Sequence, residues 1–210
     1  MFKNIKIFKR RCLFCNNNEI IRYNLCSQCL NNIIDCRLYY SNLDYIDNIE
    51  VCAIYNSFIK ELMIEYKYND KTYISRIFGE MILEKIVEKK MYINMDYISF
   101  IPSAKGELSR KGYNQSKILA EYIGKNLNFK IENLLIKTRR NKKQKDLNRY
   151  ERFKNVEDIF ISDRVLNGKN ILLIDDVVTT GYTLDFAAKA LKSAGAKRVA
   201  AITVATRQNS

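Results

Sequence analysis

Hydrophobic residues along this chain occur in two patterns, short continuous runs and longer stretches with helical periodicity. The continuous runs predict buried strands at residues 49–55, 97–101, 171–174 and 198–204. Apolar residues spaced three and four apart predict helices at residues 73–89, 116–127 and 182–194. Uninterrupted apolar strands that alternate with helices are typical of a parallel sheet covered on both faces, so the pattern predicts an α/β protein.

Two adjacent carboxylates and a hydroxyl-rich turn follow the predicted strand at residues 171–174. Asp175 and Asp176 are expected at the carboxyl end of this strand, where open parallel sheets bind ligands. The turn that follows carries Thr179, Thr180, Gly181 and Thr183. Because it opens a helix, its free N–H groups and the helix dipole favour an anion. The pattern indicates a sugar-phosphate site; the alternative is an ordinary strand followed by an acidic turn and a threonine helix cap.

A second strand, loop and helix repeat this arrangement earlier in the chain. The loop at residues 103–115 follows Pro102, the only proline in the chain. Its small and cationic residues are Lys105, Gly106, Arg110, Lys111 and Gly112. Glycine permits close approach of the backbone and the cations attract anions, so we expect a second phosphate group here. The alternative is a solvated basic loop.

Two C-x-x-C pairs near the start of the chain are separated by ten residues: Cys12, Cys15, Cys26 and Cys29. Four thiolates at this spacing predict a structural Zn²⁺ in a compact zinc ribbon. A segment of roughly 40 residues cannot build a stable core alone, so the metal would supply most of its folding free energy. Disulfides or redox-active pairs are the alternative. We predict a zinc-ribbon module at residues 1–45 and a second domain at residues 46–210, with Cys36 and Cys52 as packing residues.

The composition excludes several classes of function. The 210-residue chain contains no histidine, which excludes mechanisms that need a histidine base or a histidine metal ligand. It also lacks a Walker loop and a dinucleotide-binding fingerprint. No apolar run approaches the roughly 20 residues of a membrane span, and residues 1–11 lack the apolar core of a signal peptide. We therefore expect a cytoplasmic protein with reduced thiols.

The chain is strongly basic, with a formal net charge of +13 and a sequence pI near 9.4. This charge predicts attraction to polyanions such as polyphosphates or nucleic acid. Residues 137–155 are the most charged stretch, and we expect either a lid that closes over a polyphosphate or an arm that binds nucleic acid. The alternative is a solvated, lysine-rich surface that reflects an A+T-rich coding sequence.

Residues 171–183 resemble the motif of type I phosphoribosyltransferases that binds 5-phosphoribosyl 1-pyrophosphate (PRPP). The chain resembles, over nearly its whole length, the ComF family of phosphoribosyltransferase-like proteins, which often carry a zinc ribbon and are implicated in competence for DNA uptake. Its landmarks are the four cysteines, residues 111–115, Gln144, Leu147, Arg152, Asn155, and residues 175–183. The resemblance implies a type I phosphoribosyltransferase-like fold, an open, mainly parallel, twisted sheet with flanking helices, in addition to the zinc ribbon.

The resemblance also implies a role for each motif. Asp175 and Asp176 would hold the 2′- and 3′-hydroxyls of the ribose. The 5′-phosphate would be wrapped by Val178, Thr179, Thr180, Gly181, Tyr182 and Thr183, and the pyrophosphate bound by Lys105, Arg110, Lys111 and Gly112. With Mg²⁺ present, a nitrogen nucleophile would attack C1 and release pyrophosphate. The alternative is a non-catalytic competence factor that binds single-stranded DNA, uses the fold as a PRPP sensor or scaffold, and meets cytosolic DNA-uptake proteins.

Three departures from the usual family pattern bear on function. Lys111 replaces the usual arginine, and a lysine cannot make the bidentate phosphate contact of arginine. Lys142 and Lys143 stand where relatives often have prolines, which makes the basic stretch more cationic. Thr179 stands where purine-salvage enzymes commonly have the aspartate that acts as a base on the purine, so purine salvage is not expected.

Overall fold

A four-stranded parallel sheet forms the centre of the protein, with the strand order β1-β6-β5-β2. The computed structural model describes residues 11–39, 42–68, 71–103, 112–138 and 159–208. The sheet strands are β1 (Asn48–Ile54), β2 (Tyr97–Phe100), β5 (Asn170–Val178) and β6 (Arg198–Thr206). A separate antiparallel pair consists of β3 (Ile136–Lys137) and β4 (Phe160–Ile161).

Five helices accompany the strands in the described part of the chain. They are α1 (Ser27–Leu30), α2 (Ser57–Tyr68), α3 (Ser75–Glu88), α4 (Gln115–Leu127) and α5 (Tyr182–Ser193), and a 3-10 turn at Thr72–Ile74 leads into α3. The helices α3, α4 and α5 confirm the three that the apolar periodicity predicts. Helix α2 was missed, although Phe58, Ile59, Leu62, Met63 and Tyr66 have helical spacing and are buried.

Both faces of the central sheet are covered by apolar side chains. Leu172 and Ile174 of β5 belong to one buried cluster, which contains residues of α2, α3 and α4. Ile171 and Leu173 belong to a second cluster, which contains residues of α5 and β4. A strand whose successive side chains enter two separate cores must be apolar at every position. The continuous apolar run in the sequence has this cause, and the predicted α/β fold is confirmed.

Strand β5 is longer than the sequence predicts. Its pairing with β6 continues past Ile174, from the pair Asp175 and Thr203 to the pair Val178 and Thr206. The polar residues interrupt the apolar run but not the backbone hydrogen bonds, which do not depend on side-chain polarity. The two carboxylates therefore lie within the last four residues of the strand, on a rigid element rather than on a loop.

The cysteine-rich segment packs directly on α2 and α3. Cys12, Leu25, Cys26 and Cys29 belong to the same buried cluster as these helices. Phe14 meets Phe58 of α2 edge-on, with ring centroids 5.0 Å apart. The side chain of Arg22 donates a 2.8 Å hydrogen bond to Glu84, and Asn24 donates a 2.7 Å bond to Glu80, both on α3. The boundary at residue 45 stays a prediction, since the two parts share this core.

Among the described residues, none of the helices combines the length and the apolar character needed to cross a bilayer.

Candidate functional site

Asp175 and Asp176 lie side by side near the carboxyl end of β5, and four groups fix their orientation. The backbone N–H of Asp176 donates to Oδ1 of Asp175 at 2.9 Å, and that of Val177 donates to Oδ1 of Asp176 at 2.7 Å. The hydroxyl of Ser116, in the first turn of α4, donates to Oδ1 of Asp175 at 2.8 Å. Lys67 of α2 forms an ion pair with Oδ2 of Asp176. The pair is therefore held from the strand and from two helices.

The two carboxylates differ electrostatically. Burial, followed by the negative charge of the neighbouring Asp176, raises the pKa of Asp175 to about 7. The hydrogen bond from Ser116 and the positive charge of Lys67 oppose this rise without cancelling it. A site with a carboxyl that titrates near neutral pH beside an ion-paired carboxylate is more typical of a ligand-binding position than of a purely structural one.

The wild-type protein is expected to lose stability as pH rises from about 4 to about 7. The Asp175→Asn variant is expected not to show this loss. The folded pKa is raised to about 7, so in this window the folded state keeps a proton that the unfolded state has lost. The stabilisation that comes from this retained proton is complete below about pH 4 and lost above about pH 7. We expect the free energy of unfolding of the wild-type protein to fall by roughly 2 kcal/mol more than that of the variant over this pH range, after allowing for residual solvent contact. Urea unfolding at pH 5 and pH 8 measures it.

The exposed Asp163 provides the control for this measurement. Replacing it by asparagine is expected to leave the pH dependence of the free energy of unfolding as in wild type. An equal loss of stability between pH 5 and pH 8 in wild type and in the Asp175→Asn variant would contradict the raised pKa.

The turn after β5 presents backbone donors at the start of a helix. Gly181 is the residue before α5, and as a glycine it offers no side chain to cap the first helical turn. Val178 and Gly181 are buried, whereas the remaining four predicted phosphate-binding residues are exposed: Thr179, Thr180, Tyr182 and Thr183. Uncapped N–H groups at the positive end of a helix dipole are a ready anion site. The turn therefore fits a phosphate chemically.

A segment between the cysteine cluster and β1 supports this turn from outside, which the sequence analysis missed. The hydroxyl of Tyr39 donates to the carbonyl oxygen of Thr179 at 3.0 Å. Asp185 of α5 accepts from the backbone N–H of Tyr45 at 2.8 Å and of Ile46 at 2.9 Å. No local sequence pattern signals these contacts, because the partners are about 140 residues apart in the chain.

The start of α4 is fixed by the end of the second predicted phosphate loop. Asn114 caps the helix, since its Oδ1 accepts from the backbone N–H of Lys117 at 2.9 Å and its amide donates to the carbonyl of Ile101 at 3.0 Å. A cavity of about 640 Å³ opens beside it, lined in part by Phe100, Gly112 and Tyr113. Gly112 has a φ of 76°, and in the part of the chain that the structure describes no atom lies within 4 Å of an added Cβ.

Several predicted site residues lie outside the described part of the chain. Lys105, Arg110 and Lys111 belong to residues 104–111, and Gln144, Leu147, Arg152 and Asn155 to residues 139–158. Of the basic stretch at residues 137–155, the structure describes Lys137, in β3, and Thr138. The pyrophosphate-binding role of the first group and the lid or arm role of the second stay predictions.

The four cysteines of the two C-x-x-C pairs come together as a single cluster. Their sulfur atoms all lie within 4.8 Å of one another, and those of Cys15 and Cys26 are 3.5 Å apart. Tetrahedral zinc with sulfur at about 2.3 Å requires sulfur separations of about 3.8 Å, so the set fits this metal. Cys12, Cys26 and Cys29 are buried and Cys15 is exposed. The prediction that these four residues are positioned for metal binding is confirmed.

The thiols of the cluster differ in how readily they form the thiolate that a metal requires, since burial and hydrogen bonds with the other cysteines raise the pKa of Cys29, whereas that of Cys12 is lowered. Burial acts to raise the pKa of Cys12, but hydrogen bonds from the backbone of Cys15, Cys26 and Phe14 outweigh it and lower the pKa to about 7. Cys36 and Cys52 are buried outside this cluster.

Comparison with known proteins relates the chain to a domain family and to competence proteins. Residues 110–210 match the family model described as the phosphoribosyl transferase domain. Competence protein ComFC of Streptococcus pneumoniae is 32% identical over 145 residues, which are 69% of this chain and 62% of that protein, so the match spans less than two thirds of its length. Competence protein F of Haemophilus influenzae is 23% identical over 220 residues, 93% of this chain and 96% of that protein. DNA utilization protein YhgH of Escherichia coli O6:H1 is 22% identical over 196 residues, 90% of this chain and 86% of that protein.

Proposed function

The chain belongs to the ComF family of phosphoribosyltransferase-like proteins, and from this membership we propose that it binds PRPP with Mg²⁺ and serves in DNA uptake. One observation carries the proposal. A pair of carboxylates and a helix N-terminus whose N-cap residue is a glycine follow each other within residues 175–183, at the carboxyl edge of the parallel sheet. The competence and DNA utilization names of the relatives support the cellular role.

The carboxylates of Asp175 and Asp176 suit the vicinal hydroxyls of a ribose. A hydroxyl donates to a carboxylate oxygen, and such charge-assisted hydrogen bonds are stronger than neutral ones. The positions of both side chains are already fixed by Ser116 and Lys67. Little conformational freedom would be lost when a sugar binds, which favours affinity.

The 5′-phosphate would lie at the N-terminus of α5. Residues 178–183 bring the backbone N–H groups and the hydroxyls of three threonines to this end of the helix. A phosphate would accept hydrogen bonds from the backbone and would complement the positive end of the helix dipole. The support that Tyr39 gives to the carbonyl of Thr179 keeps the turn in this conformation.

The pyrophosphate and the magnesium ion would lie between this turn and the loop before α4. Lys105, Arg110, Lys111 and Gly112 are the residues that would bind the pyrophosphate. Magnesium prefers oxygen ligands, and when bound with PRPP it would neutralise charge on the leaving pyrophosphate. The acidic pair at this edge suits a substrate whose charge is offset by a cation. The chain's own residues would orient C1 of the ribose towards a nitrogen nucleophile of an acceptor, and pyrophosphate would leave.

Replacing Gly181 by alanine is expected to weaken PRPP binding at least tenfold. Gly181 has a φ of 85°, and an added Cβ would lie 2.6 Å from Cδ1 of Leu43. An alanine in this region of φ costs about 1–2 kcal/mol, and relief of this backbone strain, with Leu43 moving aside, would displace the turn that would hold the phosphate. Isothermal titration with PRPP and Mg²⁺ measures the affinity, and saturable binding by the wild-type protein tests the proposal.

Gly168 is the matched control, because it has a similar φ of 77° but none of the described residues has an atom within 4 Å of an added Cβ. It precedes β5, at the opposite edge of the sheet from the site. The Gly168→Ala variant should lose about as much stability from strain while keeping the wild-type affinity for PRPP. Equal affinities in both variants, or no saturable PRPP binding by wild type, would contradict the proposed site.

A further inference from the structure

Helix α2 ends beside the carboxylate pair, although nothing in its sequence pattern indicates a functional role. The ammonium group of Lys67, one residue before the end of the helix, forms an ion pair with Oδ2 of Asp176. The side chain of Lys67 is 25% exposed and that of Asp176 is 15% exposed. At this burial the attraction is screened less by solvent than at the surface, so the pair fixes the position of both groups.

Two tyrosines hold the end of α2 in this position. Tyr66 is fully buried and its hydroxyl donates to the backbone carbonyl of Gln115 at 2.8 Å. Tyr113 donates from its hydroxyl to the backbone carbonyl of Tyr66 at 2.6 Å. The ring of Tyr66 also meets Phe78 of α3 edge-on, with centroids 5.7 Å apart. Lys67 therefore extends from a backbone that is anchored on both sides.

The same junction controls both carboxylates. Gln115 is the first residue of α4, and the next residue, Ser116, donates to Asp175. Lys67 pairs with Asp176 from the end of α2, which is bonded to Gln115 through Tyr66. The orientation of the acidic pair is thus set by contacts between α2 and the start of α4 in addition to its own strand.

We propose that Lys67 is a positioning residue of the ribose site. Its ammonium group holds the carboxylate of Asp176 in the orientation that accepts the ribose hydroxyls and offsets the charge of the acidic pair. Without this cation, an anionic sugar phosphate would approach an acidic pair whose charge is not balanced, and Asp176 would keep the hydrogen bond from the N–H of Val177 but lose the contact that fixes Oδ2. The inference rests on the proposed PRPP site and adds to it a residue from outside the phosphoribosyltransferase motif.

The experiment compares three ligands against variants of Lys67. Lys67→Met, and Lys67→Gln as a second neutral variant, are titrated calorimetrically with PRPP, ribose 5-phosphate and inorganic pyrophosphate, each with Mg²⁺. Because Lys67 acts on the ribose through Asp176, we expect both variants to bind PRPP and ribose 5-phosphate ten- to a hundredfold more weakly. Binding of inorganic pyrophosphate should change less than threefold. Lys67→Arg keeps the charge and should restore most of the affinity.

Lys71 provides the matched control, since it forms an ion pair with Glu65 of α2 and not with Asp175 or Asp176. The Lys71→Met variant should bind all three ligands as wild type does, and thermal unfolding confirms that each variant is folded. Wild-type affinities in Lys67→Met and Lys67→Gln would overturn the inference and leave the proposed function standing. Loss of pyrophosphate binding to the same extent would also overturn it, since Lys67 would then contact the pyrophosphate directly. No PRPP binding by wild type would overturn the proposed function, and the inference with it.

Discussion

Replacing Asp175 and Asp176 together by asparagine is expected to weaken PRPP binding at least a hundredfold. Each carboxylate would accept a hydrogen bond from one ribose hydroxyl, and a hydrogen bond to a charged group contributes about 1.5–3 kcal/mol. Two such losses amount to about 3–6 kcal/mol, and each 1.4 kcal/mol is about a factor of ten in affinity. Asparagine keeps the shape of the side chain but its amide nitrogen cannot accept a hydrogen bond. Isothermal titration with PRPP and Mg²⁺ measures the change.

The loss of binding should not come from loss of folding. Asparagine at both positions removes the burial of a charge and the repulsion from Asp176, which together raise the pKa of Asp175, so the thermal midpoint at pH 8 should not fall. Asp96 is the matched control, because it forms an ion pair with Lys169 at the opposite edge of the sheet, before β2. Asp96→Asn is expected to reduce stability while keeping the affinity for PRPP. Unchanged affinity in the double variant would show that the acidic pair does not bind the sugar.

Loss of one cysteine ligand, as in Cys26→Ser, is expected to release the metal and destabilise the whole described domain. Zinc in small zinc-finger peptides contributes about 10–16 kcal/mol at neutral pH. Cys12, Cys26 and Cys29 lie in the same buried cluster as residues of α2 and α3, for example Phe58 and Met81. Without the metal, these helices would lose part of their packing partner. A decrease of about 5 kcal/mol in the free energy of unfolding of the domain would lower the thermal midpoint by at least about 10 °C.

Metal content and calorimetric unfolding together test this expectation. Wild type should contain one zinc ion per chain and unfold in a single transition, and Cys26→Ser should contain none and unfold in a single transition at lower temperature. Cys36 is the matched control, because it is buried but lies outside the cluster. Cys36→Ser should keep one zinc ion. A separate low-temperature transition confined to the cysteine-rich segment, with the main transition unchanged, would contradict the coupling of the two parts.

Patterns within single segments account for the elements that the sequence predicts correctly. Alternate side chains of β5 pack into two separate cores, so its continuous apolar run indicates a buried parallel strand. The helices α3, α4 and α5 each show helical spacing of their apolar residues. The cluster of four cysteines can be predicted because two C-x-x-C pairs at this spacing are a pattern typical of zinc sites, and the four sulfur atoms do come together. The end of β5 was placed too early because backbone pairing continues through Asp175 and Asp176, whose polar side chains interrupt the apolar run.

The contacts around the acidic pair show what local sequence patterns cannot predict. Local spacing and residue type are enough to indicate the parallel sheet, the paired carboxylates, the turn proposed to bind an anion and the cysteines positioned for a metal, because the chemistry of each depends on neighbours in the chain. The contacts of Lys67 with Asp176, of Ser116 with Asp175 and of Tyr39 with Thr179 join residues that are between 59 and 140 positions apart. Such contacts exist only after the sheet has brought distant segments together, because no local pattern encodes which segments the strand order places side by side. They set the charge and the rigidity of the site.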